Sequence, residues 1–220
     1  MQDLHESWIA LKLGGVMILP LSLLAVFAIA IMLEKFVLYW RYARLSAELL
    51  TLVETYGFDW AVLEQKVARL DQRNYFYRFF SVVLANRSRP AWWTESRAAD
   101  EAQLIETSLS RRLWVLETIV TAAPLLGLMG TIGGMMHAFQ LIGGAGLVNP
   151  TGVTGGVAQA LIATAVGLLI ALISLFGFNY FSRLQVQTMD EMERLGTRLI
   201  DHIRLDQQAQ SSQGNGHEAA

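Results

Sequence analysis

The chain has no cysteine in 220 residues. That absence removes disulfide frameworks, thiolate nucleophiles and zinc–thiolate sites from consideration. It also lacks a basic excess: 17 Lys and Arg stand against 19 Asp and Glu, a formal net charge of −2. A nucleic-acid binder would normally show a basic stripe, so that class is set aside. Strand-like alternation and internal repeats are missing as well. The largest absence is local. Between Thr118 and Ser182 there are sixty-five consecutive residues without one Asp, Glu, Lys or Arg. A soluble domain needs charge on its surface, whereas a bilayer-spanning helix takes about 20 apolar residues. The run is too long for one span and suits two. Its middle, GGAGLVNPTGVTGG from Gly143 to Gly156, is turn chemistry. These residues read as a transmembrane hairpin.

The rest of the chain divides by charge. Residues 1–12 are polar, with Leu4, Trp8 and Leu11 at helical spacing, and are expected to form a short helix in the membrane interface. A signal peptide is the weaker reading, because acidic residues open the segment. Leu13 to Leu33 carries no charge and begins the first span, residues 13–41. Gly14, Gly15 and Pro20 lie in its first half. Glu34-Lys35 and Tyr39-Trp40-Arg41 close it with an aromatic and basic edge suited to the headgroup layer. Residues 42–113 are mixed in charge and helical in period. Leu45, Leu49, Leu52, Val53 and Tyr56 share a face, as do Val62, Leu63, Val67 and Leu70. Breaks are expected at Gly57 with Asp59 and at Arg89-Pro90. This region reads as a small helical domain or as packed extensions of the membrane helices. Residues 114–142 and 156–182 are the second and third spans, with a turn at 143–155. Residues 183–205 form an amphipathic helix, and 206–220 a tail expected to be disordered.

Orientation follows from the basic residues. With three spans, 16 of the 17 Lys and Arg fall on the side of the 42–113 region or at its border, leaving Lys12 opposite. The positive-inside bias then faces the N-terminus and the 143–155 turn outward and the C-terminus toward the cytoplasm.

Within the hairpin, Gly127, Gly130 and Gly134 make one strip of small residues. Gly156, Ala160, Thr164, Gly167, Ala171 and Ser174 make another. Such strips let helices approach closely, and substitution of Gly130 or Gly167 by Leu is expected to break self-association. Beside the first strip runs a second line: Thr121, Pro124, Leu128, Thr131 and Met135. The polar atoms are few, namely those of Thr121, Thr131, His137, Gln159, Thr164 and Ser174. Their hydroxyls can simply bond back to their own helices. Glu117, at the inner end, can reach solvent or pair with Arg111 or Arg112. An intramembrane hydrolase would need His137 and Ser174 together, and they sit near opposite helix ends. No catalytic residue, metal site or cofactor is therefore expected.

The run from Ala123 to Phe139, APLLGLMGTIGGMMHAF, with VAQALIATAVGL from Val157 to Leu168, resembles helices two and three of the ExbB/TolQ branch of the MotA/TolQ/ExbB proton-channel family. Gly14-Gly15, Pro20 and Glu34-Lys35 fit that family's first helix, so the resemblance covers nearly the whole chain. It implies an all-α inner-membrane protein whose three spans are extended by cytoplasmic helices. It also implies a homo-oligomeric ring, commonly a pentamer, rather than an enzyme. Such rings surround a one-span partner of the ExbD/TolR type, whose membrane Asp takes up and releases protons. The work passes to a TonB- or TolA-like protein acting on outer-membrane transport or integrity. By position, Thr131 and Thr164 match the family's pore threonines, whose hydroxyls both donate and accept. Many members carry Glu where this chain has Gln159. An amide cannot titrate, so Gln159 can line the pore or bond across helices but cannot relay a proton. A structural ring without proton conduction is thus the alternative, and no residue separates ExbB from TolQ.

Overall fold

The computed structural model describes residues 16–45, 47–55, 58–143 and 150–217. The regular elements among them are all helices: α1 Ile18–Tyr42, α2 Ala47–Glu54, α3 Trp60–Val67, α4 Tyr75–Asn86, α5 Ala91–Ser110, α6 Leu113–Gly143 and α7 Pro150–His217. Three stretches of helix, in α1, α6 and α7, are long and apolar enough to cross a membrane. The interfacial segment 1–12, Gly14, Gly15, Tyr56, Gly57 and the centre of the 143–155 turn lie outside the described residues.

The chain forms two compact units. The first comprises Met1–Glu34 with Arg112–Phe181. In it α6 and α7 run antiparallel and pack through their smallest residues. A Cβ built on Gly167 would sit 2.5 Å from the Ala123 carbonyl oxygen, and one on Gly134 would sit 2.9 Å from that of Gly156. Backbones this close leave no room for side chains. Helix α1 joins through Met32, whose Sδ fills the space beside Gly177. Away from these seams Leu19, Phe27, Leu125, Ile132, Leu168 and Phe176 are exposed, as a lipid-facing or subunit-facing surface requires.

The second unit comprises Lys35–Arg111 with Ser182–Ala220. Its core gathers Leu49, Val53, Leu63, Phe76, Phe80, Val83, Ile105, Met192, Leu195 and Leu199, all but fully buried. Helix starts are chemically marked. Asp59 caps α3 by accepting from the Ala61 N–H at 2.8 Å, and Asn74 caps α4 by accepting from Phe76 N–H at 2.8 Å. Such caps contribute about 1 kcal/mol each. Pro90 precedes α5. The break before Asn74 is one the helical period did not reveal.

Three sequence expectations are corrected. The first is that α7 starts at Pro150 rather than 156, proline being well suited to the first helical position. The second concerns the tail. Helix α7 continues through the segment expected to be disordered as far as His217. Gln and Ala are good helix formers, and Trp60 Nε1 donates to Asp206 at 2.7 Å while Gln207 donates to the Arg89 carbonyl at 2.8 Å. The third concerns the edge of the first span. Lys35 and Tyr39 do not face headgroups; they are 1% and 7% exposed. With Ala28 and Ile31 they continue the buried stripe of α1, since residues four apart share a face. Only Glu34, Trp40 and Arg41 of that edge are exposed.

Candidate functional site

Helix α6 is interrupted from α5 at Arg111 and Arg112, the latter with φ 67°, a left-handed conformation uncommon outside glycine. Two neighbouring side chains of α1 hold the chain near this break. Glu34 pairs with Arg112. Lys35 Nζ donates to the Leu109 carbonyl oxygen at 2.6 Å, one of the carbonyls a helix end leaves without a partner. Alongside, the Tyr75 hydroxyl and Ser108 Oγ lie 3.0 Å apart. Beyond the adjacent Glu34 and Lys35, no sequence pattern pointed to these contacts.

The residues expected to pack the helices, Gly127, Gly130, Gly134, Ala160, Gly167 and Ala171, are all buried. They meet within one chain. A Cβ on Gly130 would lie 2.5 Å from that of Ala163, and one on Gly127 would lie 3.0 Å from the Ala163 carbonyl oxygen. The strips are thus occupied by the hairpin itself, so Leu at Gly130 or Gly167 would first separate α6 from α7. Gly133, by contrast, faces open space.

The polar candidates are distributed along this seam. Thr131, Gln159 and Thr164 are half-buried. The contacts of Gly134 with Ala160 and of Gly127 with Thr164 set the register, which puts Thr131 between the levels of Gln159 and Thr164. Gln159 and Thr164 do not share a helix face: five residues at 100° each leave them about 140° apart. Thr131 Oγ1 donates to Leu128 O of its own helix at 2.6 Å, and Thr121 Oγ1 to Thr118 O at 2.9 Å. Thr164 does something neither sequence reading contained. Its hydroxyl donates across the seam to the Gly127 carbonyl oxygen at 3.1 Å, leaving its lone pairs to accept. Ser174 is fully buried, and its hydroxyl has no hydrogen-bond partner among the described residues. His137 and Glu117 are exposed, and Arg112, a possible partner for Glu117, is engaged by Glu34.

The hairpin is thus apolar, with glycine-to-backbone seams, hydroxyls at mid-depth and no charge from Thr118 to Ser182. Residues 70–194 match the model of the MotA/TolQ/ExbB proton channel family. The chain belongs to this family. The protein named ExbB-like 1 of Synechocystis sp. is 31% identical over 193 residues, covering 84% of this chain and 74% of that protein. Biopolymer transport protein ExbB of Aquifex aeolicus is 41% identical over 83 residues, 38% of this chain and 55% of the relative. Tol-Pal system protein TolQ of Haemophilus influenzae is 39% identical over 84 residues, 38% and 36% respectively. Both ExbB and TolQ names occur among the relatives, in keeping with the ExbB/TolQ branch. Three apolar helices and this membership make the chain a multi-pass protein of a bacterial inner membrane.

Proposed function

We propose that this MotA/TolQ/ExbB protein is the ring-forming subunit of a proton-driven transducer. A one-span partner of the ExbD/TolR type supplies a membrane carboxylate, and a TonB- or TolA-like protein receives the work. The observation that carries this reading is the pairing of family membership with a hairpin holding hydroxyls but no charge at mid-depth. Protons crossing here need an acid from another chain. The accepting lone pairs of Thr131 and Thr164 offer that acid, when protonated, hydrogen bonds, with Gln159 as a non-titrating neighbour. One charge crossing 100 mV releases about 2.3 kcal/mol, enough to bias a rearrangement of ring and core. The second reading, a ring that assembles without conducting, draws on two observations: Gln159 cannot titrate, and the Thr164 hydroxyl is already donated to Gly127.

Substitution separates the two. Thr→Val keeps size while removing the hydroxyl, so Thr164→Val is expected to lower energy-dependent uptake or outer-membrane integrity at least ten-fold while the partner still co-purifies. Thr131→Val should be similar or milder. Thr164→Ser, which retains the hydroxyl, should recover most of the activity. Full activity in the Thr131→Val, Thr164→Val double variant would favour the purely structural role.

A further inference from the structure

The apolar run of α6 is entered through a carboxylate that the packing of the chain leaves unused. Glu117 is exposed on α6, one helical turn beyond Trp114, which is 67% exposed. No hydrogen bond or ion pair holds Glu117 among the described residues. At 100° per residue, Glu117, Thr121, Pro124, Leu128, Thr131 and Met135 fall within about 40° of one line along the helix. None of the six is buried, whereas Ile119, Ala123, Gly127, Gly130, Gly134 and Ala138 form the separate face packed in the hairpin. The backbone beside the unpacked line is also polar. Pro124 stands inside α6 and has no N–H to give the Val120 carbonyl oxygen. A carboxylate and a carbonyl lacking its helical donor are costly against lipid and suit a face that lines water or a partner.

Resting on the proton-driven reading above, we propose that Glu117 is the inner-side proton acceptor of the pathway. Polar groups rise from it in short steps: Thr121 about 6 Å along the axis, the level of Thr164 about 9 Å further, Thr131 about 6 Å beyond that. The partner's carboxylate takes up a proton from the periplasmic side and gives it to water at these groups. The proton reaches the Glu117 carboxylate, and Glu117 releases it to cytoplasmic water. Only O–H bonds break and form. Both carboxylates are restored, and one proton has crossed.

The test uses the full chain co-purified with its one-span partner in liposomes containing a pH-sensitive dye, under an imposed potassium diffusion potential. Wild type should acidify or alkalinise the lumen according to the sign of the potential. Glu117→Gln should lower that flux at least ten-fold with the partner retained, and Glu117→Asp should keep a substantial part of it. Because the chain has no cysteine, Glu117→Cys gives a second measurement. Iodoacetate, which appends a carboxylate to the thiol, should restore flux, and iodoacetamide, which appends a neutral amide, should not. Flux in Glu117→Gln equal to wild type would overturn the inference and leave the proton-driven reading intact. Equal effects of the two reagents would do the same. Loss of the complex in both variants would mark Glu117 as an assembly residue and also overturn it. A silent wild type would remove both readings together.

Discussion

Taking an ammonium out of water costs several kcal/mol unless the protein meets it with acceptors. Lys35, 1% exposed, is met in part by the Leu109 carbonyl oxygen at 2.6 Å. That carbonyl lies at the end of α5, just before the helical pattern breaks at Arg111, so the lysine and the helix end satisfy each other. Lys35→Met keeps the length of the side chain and removes the donor. Leaving a buried acceptor unpaired costs about 1–3 kcal/mol, so a lower thermal midpoint is expected by circular dichroism in detergent. An unchanged or raised midpoint would mean that burying the charge costs as much as the hydrogen bond returns. A lysine just past an apolar run reads, from sequence, as a headgroup contact. What buries it is a carbonyl 74 residues away, and no local pattern encodes such a partner. Thr164 was illegible for the same reason. Its residue type announces a hydroxyl, but the choice of the Gly127 carbonyl depends on how closely α7 approaches.

At the scale of elements, the charge-free run made the hairpin legible, because no other soluble or membrane structure disposes of it so readily. The glycine strips were legible as packing surfaces, but not the partner they pack against. Small residues specify a close approach without saying whose backbone approaches. The register of Gly134 on Gly156 and Gly167 on Ala123 answers that for this chain. Two single-methyl substitutions check the assignment. Gly167→Ala places a Cβ 2.5 Å from the Ala123 carbonyl oxygen, and because that atom is backbone the helices must part. Overpacking of this kind costs about 1–3 kcal/mol. Gly133→Ala meets nothing within 4 Å and should gain up to about 1 kcal/mol of helix propensity. Thermal stability of the two purified variants should therefore move in opposite directions. If native mass spectrometry finds the wild type self-associated and Gly133→Ala weakens that association, Gly133 faces a neighbouring protomer. The missed break before α4 has a plainer cause. Asp71 and Asn74 are cap chemistry, but the apolar period of Val67 and Leu70 runs straight into them.

At the scale of the whole molecule, the expected orientation rests on the distribution of basic residues and can be checked without any partner. Arg41 and Arg112 flank the spans, and the second unit carries all of the remaining arginines. Holding these on the cytoplasmic side follows the positive-inside bias, which acts on residues close to span ends. On that expectation, three spans put the start of α7 on the periplasmic side and the α4–α5 connection on the cytoplasmic side. Thr151 and Ser88 are exposed at these two places, and in a cysteine-free chain each can carry a single reporter thiol. Thr151→Cys should react with a membrane-impermeant maleimide added to spheroplasts, and Ser88→Cys should react only after the membrane is opened. Both variants alter exposed positions, so wild-type expression and oligomeric state are expected. Protection of Thr151→Cys together with labelling of Ser88→Cys in closed spheroplasts would invert the topology. The proton pathway would then run the other way, with Glu117 at its entrance instead of its exit.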